Sequence, residues 1–486
     1  MYGKLSLQQA PPLSVPARFF LTAPVFGLAA ALILLFTGKD LFSSRWTPGM
    51  LAVTHCLTLG FFTSVMIGAT QQILPVLIGS SISKPRFIAT LIHGQWLPGV
   101  ALLVISFLHF KPIIFIPAII LIAGAVTTYA GVILFSLYKG ISANESAPGI
   151  RLAMIALFIT MVMGILLVLG YAGLIPLWRP ALTNLHLSWG LFGWIGLLIM
   201  VVAWQVVPMF QITRAYPAWL RRLTIPAVAV LLLLKSVLVW SDANAVINTA
   251  RVLVDSAIAT VLLCFALATL YLQHVTRRKI RDVHRDFWRL AIFNLLLTLC
   301  FWISAGITGR PEFALLTGVM FLLGFAMAVV TGMLLKIVAF LIWLHLQAAN
   351  EGLQARGRPG YIIPKMKRVI ADRKSNILLF SLLLAQLMII GAILYPSDLT
   401  TPAAVAWLVF FSLLTMVLAR ASSPSPSPPQ KRGRGKILLQ YPCGAAHQGQ
   451  ALKISFCNLP AAISRVTITS RMIALQPAGT PKHEQT

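Results

Sequence analysis

Charge is in short supply in this sequence. Of 486 residues only 10% are charged, with 11 acidic side chains against 39 Lys and Arg, while 58% are hydrophobic. A soluble domain spends about a quarter of its residues on charge, so this chain cannot wet a globule of its size, and a bilayer is its natural solvent. Cysteine is equally uninformative as a framework. Cys56, Cys264, Cys300, Cys443 and Cys457 form no CxxC, no CxxCH and no zinc spacing, which leaves no disulfide scaffold, zinc site or covalent heme attachment to read. A cleavable leader is not expected either. The opening MYGKLSLQQAPPLSVPARFF is polar and proline-rich, and no small-residue cleavage site follows the first apolar run, which is therefore expected to stay as the first span.

What the chain has in quantity is apolar runs long enough to cross a membrane, for which about 20 residues suffice. Twelve are expected, at 19–37, 50–79, 88–110, 113–137, 152–175, 182–210, 224–240, 252–272, 287–307, 313–345, 376–395 and 402–419. The run at 313–345 exceeds one untilted span, so its first turns are expected outside the membrane. The last is barely long enough. The chain thus reads as an all-α polytopic membrane protein, with 1–18 as a cytoplasmic segment, 19–420 as the transmembrane domain and 421–486 as a tail. That tail begins ASSPSPSPPQKRGRGK, the composition of a disordered segment.

A net charge of +28 raises the question of nucleic acid, but its placement answers it. With the N-terminus in the cytoplasm, the segments on that side carry 21 basic residues, including five in RRKIRDVHR and seven between Arg356 and Lys374. The opposite loops carry six: Lys39, Arg45, Lys111, Arg179, Arg251 and Arg310. This is the positive-inside bias. It sets both termini in the cytoplasm, makes the lipid bilayer the partner and leaves no need for nucleic acid.

A short pattern recurs. Gln72-Ile-Leu-Pro75, Gln205-Val-Val-Pro208 and Lys336-Ile-Val-Ala339 each follow a long polar side chain with two aliphatics and then proline or alanine, at spacings of 133 and 131 residues. They fall on the second, sixth and tenth spans, so the expected unit is four helices used three times. Proline lacks an N–H and frees the carbonyl four residues back, here that of Gln71 or Trp204, and a freed group inside a membrane needs a partner. Gln72 and Gln205 read either as repair and interhelical ties or as the lining of a polar route from the cytoplasm. Lys336, with His93 at similar depth, adds to the second reading because an ammonium at that depth is costly.

The second and sixth spans each open on a histidine, His55 in THCLTLGFF and His186 in NLHLSWGLFGW. At 1.5 Å per residue His55 lies roughly 26 Å from Gln72, so each belongs to a different half of the membrane. The His-to-Gln spacing is 17 residues in one span and 19 in the other. Two residues turn a helix by about 200°, so glutamines on a common axis and histidines on a common axis require a bulge in between. Lys235 and Asp255, on the seventh and eighth spans, are expected to pair and so lower the desolvation cost of each.

Twelve spans in three quartets, cytoplasmic termini and histidines at the outer ends of the second and sixth spans resemble subunit I of heme-copper oxidases. The stretches SVPARFFLTAPVFGL, HCLTLGFFTSVMIGATQQILPVL, WQVVPMFQITRAYP and LLKIVAFLIWLHLQ look like a family of bacterial inner-membrane proteins related to that subunit, and more loosely like the NnrS family linked to nitric-oxide stress. By position the resemblance makes His55 the ligand of a heme and His186 a ligand of copper. It also implies a departure. The seventh span, TIPAVAVLLLLKSVLVW, and the tenth, ALLTGVMFLLGFAMAVVTG, lack the histidines that complete the binuclear centre, so a working terminal oxidase is not expected. Met320 or Met327 is a softer candidate for a second heme ligand. Three functions remain open from sequence: an oxidase-fold protein keeping one heme or copper in respiratory or nitric-oxide-related physiology, a transporter or ion conduit, and an assembly or partner subunit beside other membrane subunits. The repeat as three fours, rather than two sixes, favours the first over the commonest transporter type.

Overall fold

The computed structural model describes residues 11–422 apart from 76–78, 80, 110, 140–143, 177–178, 277–280 and 358–362. The tail from 423 onward, the first ten residues and most of RRKIRDVHR's first half lie outside the described residues. Those described form twelve long helices and no strand: α1 (Ser14–Thr37), α2 (Pro48–Ile73), α3 (Pro85–His109), α4 (Pro112–Lys139), α5 (Ala147–Tyr171), α6 (Pro180–Gln211), α7 (Ala218–Leu238), α8 (Ala245–His274), α9 (Val283–Thr308), α10 (Pro311–Gln354), α11 (Asp372–Leu394) and α12 (Pro396–Ser422). Eleven are long and apolar enough to cross a membrane; α7, with Arg221, Arg222 and Lys235, is the exception. The protein is an all-helical, multi-pass membrane protein.

Local chemistry sets many of the boundaries. Six helices, α2, α3, α4, α6, α10 and α12, start on a proline, where its missing N–H costs nothing and its fixed φ suits a helix. Thr47 caps α2 by accepting from the Met50 N–H, Asn244 caps α8 by accepting from Ile247, and Asp282 caps α9 by accepting from His284. Between α9 and α10 the chain reverses at Gly309, whose φ of +65° no β-branched residue would hold. The tenth span departs from expectation at its far end. It starts within two residues of the expected boundary but runs on to Gln354, 44 residues in all and about 66 Å at helical rise, well over the ~30 Å hydrocarbon layer.

Burial separates an inner set from an outer one. The apolar windows of α2, α6 and α10 are 67%, 78% and 61% buried, and no other candidate span exceeds 50%. The outer helices pack around these three, and α12 lies along both α11 and α1, so that the last helix meets the first.

Each inner helix is interrupted by π-helical turns: Cys56–Thr63 in α2, Ser188–Gly196 in α6 and Met320–Ala326 in α10. A wider turn frees a carbonyl that must be satisfied in lipid. In α2 the Thr63 hydroxyl donates to the Thr58 carbonyl at 2.8 Å; in α10 the Gln386 amide of α11 donates to the Leu323 carbonyl at 2.8 Å and is itself held through its oxygen by Asn294 Nδ2. Within these turns lie Gly60, Gly193 and Gly324, each twelve residues before Gln72, Gln205 and Lys336 respectively. A Cβ on Gly60 would stand 2.3 Å from Phe26 of α1, one on Gly193 2.9 Å from Ala156 of α5, and one on Gly324 2.8 Å from Asn294 of α9. The glycines therefore let α1, α5 and α9 approach. The next residue is aromatic in all three, and each ring meets another edge-on: Phe61 with Phe411 of α12 (5.5 Å, 68°), Trp194 with Tyr129 of α4 (6.3 Å, 78°) and Phe325 with Phe265 of α8 (6.4 Å, 75°).

Candidate functional site: a cavity with two histidines

A cavity of about 980 Å³ opens at one end of the bundle, where the α1–α2 loop meets the first turns of α2, α6 and α10. Its walls are mostly aliphatic and aromatic. The exposed loop residues Lys39, Asp40 and Arg45 line its mouth. Arg45 is fixed by a 2.8 Å hydrogen bond to Asn184 and by stacking 4.3 Å over Trp46, and partial burial lowers its guanidinium pKa from the ordinary value while leaving it a cation.

His55 and His186 both line this cavity, with ring centres 6.4 Å apart and planes 30° from parallel. Each ring is held through Nδ1: that of His55 lies 2.7 Å from the Leu51 carbonyl and that of His186 3.0 Å from the Thr160 carbonyl. A carbonyl only accepts, so both Nδ1 atoms carry the proton and both Nε2 atoms keep a lone pair. Gly164 of α5 makes the room for the second ring, since a Cβ there would stand 3.1 Å from His186 Cε1. Phe107 packs on His55 at 5.1 Å. The resemblance assigned these histidines to separate centres, but the two rings share one chamber, and π turns lie between each histidine and its glutamine. Met320 and Met327 are buried and do not line the cavity; His186, and neither methionine, shares it with His55.

The polar residues of the recurrent motif lie elsewhere and are held separately. Gln72 is buried with neither amide atom in a hydrogen bond; its neighbour Gln71 donates to the Ile67 carbonyl at 3.3 Å. Gln205 is only half-buried and its amide reaches Ser146 Oγ of α5's entry at 3.5 Å. Lys336 is buried, 3.9 Å from Asp282 Oδ2, with its ammonium 5.6 Å from the Phe210 ring. Beside it His284 Nδ1 donates to the Gly332 carbonyl at 3.0 Å. His93 accepts or donates through Nε2 to Thr22 Oγ1 at 3.2 Å and meets Phe19 edge-on, which ties α3 to α1. Lys235 forms an ion pair with Asp255 across α7 and α8, on a partly exposed face. Sequence reading passed over Asp282 because it sits in a run dominated by Arg and Lys, set His284 aside as a histidine bordering a loop, and passed over Gly164 because a lone glycine in an apolar helix carries no signal. A clue to Asp282 was available: it is one of only 11 acidic residues and precedes a helix by one position, where an aspartate caps.

Among the described residues no group of three or more His, Cys, Asp or Glu comes together to hold a metal ion. Two imidazoles alone fit a group that brings ligands of its own, and each Nδ1–H···O=C contact is the outer-shell support that metal-bound histidine has. No protein-family model matches the chain, and no curated protein does.

Proposed function

We propose that the protein is a membrane-embedded heme carrier in which His55 and His186 would hold the heme. The observation that carries this reading is the pair of Nδ1-anchored imidazoles in one chamber, with ring centres 6.4 Å apart. A copper ion alone would use a small part of a 980 Å³ chamber and would ordinarily recruit a third protein ligand. Arg45 and Lys39 at the mouth suit the carboxylates of such a cofactor. With both axial positions filled by imidazole, a heme would pass single electrons; the protein's own part is to hold the two rings, fix their tautomers and keep water out.

The same reading takes the scaffold to be three four-helix units about a common axis, as in subunit I of heme-copper oxidases, in the inner membrane of a bacterium with both termini cytoplasmic, and in respiratory or nitric-oxide-related physiology. Support comes from the three inner helices, their π turns, and three glycine contacts to the preceding helix. The aromatic pairs add to it, since each inner helix meets the last helix of the preceding quartet in cyclic order, α2 with α12, α6 with α4 and α10 with α8. Where a third histidine would stand, α10 offers Gly318 and Val319, both on the cavity wall; this agrees with a protein that lacks a binuclear centre. The test is optical. Detergent-purified protein from heme-replete cells is expected to show a Soret band and iron, both lost in His55→Ala and in His186→Ala. A colourless wild-type protein, or a band unchanged in both variants, overturns the reading.

A further inference from the structure

Carboxylates are unevenly shared around the end of the bundle where α1, α3, α7, α9 and α11 begin. Toward α7, α9 and α11 the cations meet acids: Arg221 pairs with Glu145, Arg281 and Arg289 with Asp286, Lys336 with Asp282 and Lys367 with Asp372. The start of α1 and α3 is built differently. Residues 1–144 contain a single acidic side chain, Asp40, and it lies past the far end of α1, in the loop at the cavity mouth. Yet Arg18, Lys84 and Arg86 all sit where these two helices begin. Arg18 is held across the seam between them by neutral oxygens, its Nε donating to the Ser14 carbonyl at 3.0 Å and its Nη1 to Thr90 Oγ1 of α3 at 2.6 Å. Thr90 donates in turn to the Arg86 carbonyl at 2.8 Å, and one turn further in Thr22 Oγ1 meets His93 Nε2 at 3.2 Å. These bonds use two of the five N–H donors of the guanidinium.

We propose that the α1–α3 seam binds an anionic phospholipid, with its phosphate on Arg18, Arg86 beside it and an acyl chain along the exposed Val25 and Leu91. The fork of a guanidinium matches phosphate oxygens, and basic groups at a membrane surface draw anionic lipid. Arg18, Thr22 and Val25 follow one another at helical spacing on one face of α1, as Arg86 and Thr90 do on α3, so the cation and the apolar strip belong to one seam. A soluble anion would use the cation and leave the strip unused. A zwitterionic lipid would bring a cation of its own to a corner that already holds three. The charge bias that orients the chain accounts for basic loops; it does not account for an arginine four residues inside α1 and bonded to the neighbouring helix. What the histidine pair holds has no part in this proposal.

The experiment is thermal unfolding of the purified full chain in detergent with dioleoylphosphatidylglycerol, against dioleoylphosphatidylcholine and inorganic phosphate. A ligand that binds only the folded state raises the melting temperature with concentration. The wild type is expected to rise with phosphatidylglycerol and with neither control, and Arg18→Gln and Arg86→Gln are each expected to need about fivefold more of it for the same rise, the share of one basic residue near an anionic surface. Arg281→Gln, which removes an exposed cation already paired with Asp286, is expected to respond as the wild type does. No rise in the wild type, an equal rise with phosphatidylcholine or inorganic phosphate, an equal loss in Arg281→Gln, or full response in both seam variants overturns the proposal. Photo-cross-linking of the wild type with phosphatidylglycerol carrying a diazirine in its headgroup does not depend on the variants folding: label on α1 and α3 is expected, and label confined to other helices overturns it.

Discussion

His186 owes its position to a neighbour with no side chain. A methyl on Gly164 would press on the imidazole at 3.1 Å, so Gly164→Ala is expected to lower heme content several-fold even though alanine is worth up to about 1 kcal/mol more than glycine in a helix interior. The two effects are separable: Soret absorbance per mole of protein falls while the melting temperature of the cofactor-free form holds or rises. The two ion pairs differ in the same quantitative way. Lys336 and Asp282 have side chains only 11% and 7% exposed. Lys336→Met removes an ammonium 3.9 Å from a buried carboxylate and is expected to cost up to about 3 kcal/mol, whereas Lys336→Met with Asp282→Asn is expected to recover part of that loss in chemical denaturation. Lys235 and Asp255, at 23% and 34% exposed, are expected to contribute about 1 kcal/mol or less. Both partners of this second pair were legible in the sequence, since a lone base and a lone acid in adjacent apolar runs have few other options. Lys336 was legible and its partner was not.

At the scale of the helix, glycine and aromatic pairing do more than the polar motif that first drew attention. Replacing Gly60 by Val drives a side chain into Phe26, 2.3 Å away, and overpacking of this kind costs about 1–3 kcal/mol; Gly324→Val should behave alike against Asn294. An equal change at Gly318, where a Cβ meets nothing within 4 Å, is expected to be silent in the same unfolding assay. Gln386→Leu strands the Leu323 carbonyl of a π turn and is expected to cost about 1–3 kcal/mol. Proline-led helix starts and the apolar length of each span were readable because both follow from local chemistry. The π turns were not, because they depend on what a neighbouring helix offers the freed carbonyl. Sequence reading named a bulge only as the condition for glutamines and histidines each to share an axis; the structure has π turns in both helices and both histidines in one chamber.

For the molecule as a whole, the charge asymmetry and the twelve helices make the loops alternate sides, and α10 reaches well beyond the hydrocarbon layer. A cysteine placed at Glu351, an exposed position near the end of α10, is expected to react with a membrane-impermeant maleimide from the same side as one placed at Asn144, before α5, and from the side opposite one placed at Ser43, after α1. Labelling of all three from one face would contradict the threading. The extra length of α10 could not be read from hydropathy, since LQAANEGLQ looks like loop once the apolar run has ended. Helix propensity carries it on through Gln354.

Glu312 and Lys336 ride on the same helix, 24 residues apart and about 36 Å at helical rise, with the π turns of Met320–Ala326 between them. Such turns are where a helix bends, so a shift of the first turns of α10 at the mouth can be taken up there and leave the ammonium beside its carboxylate at the far end.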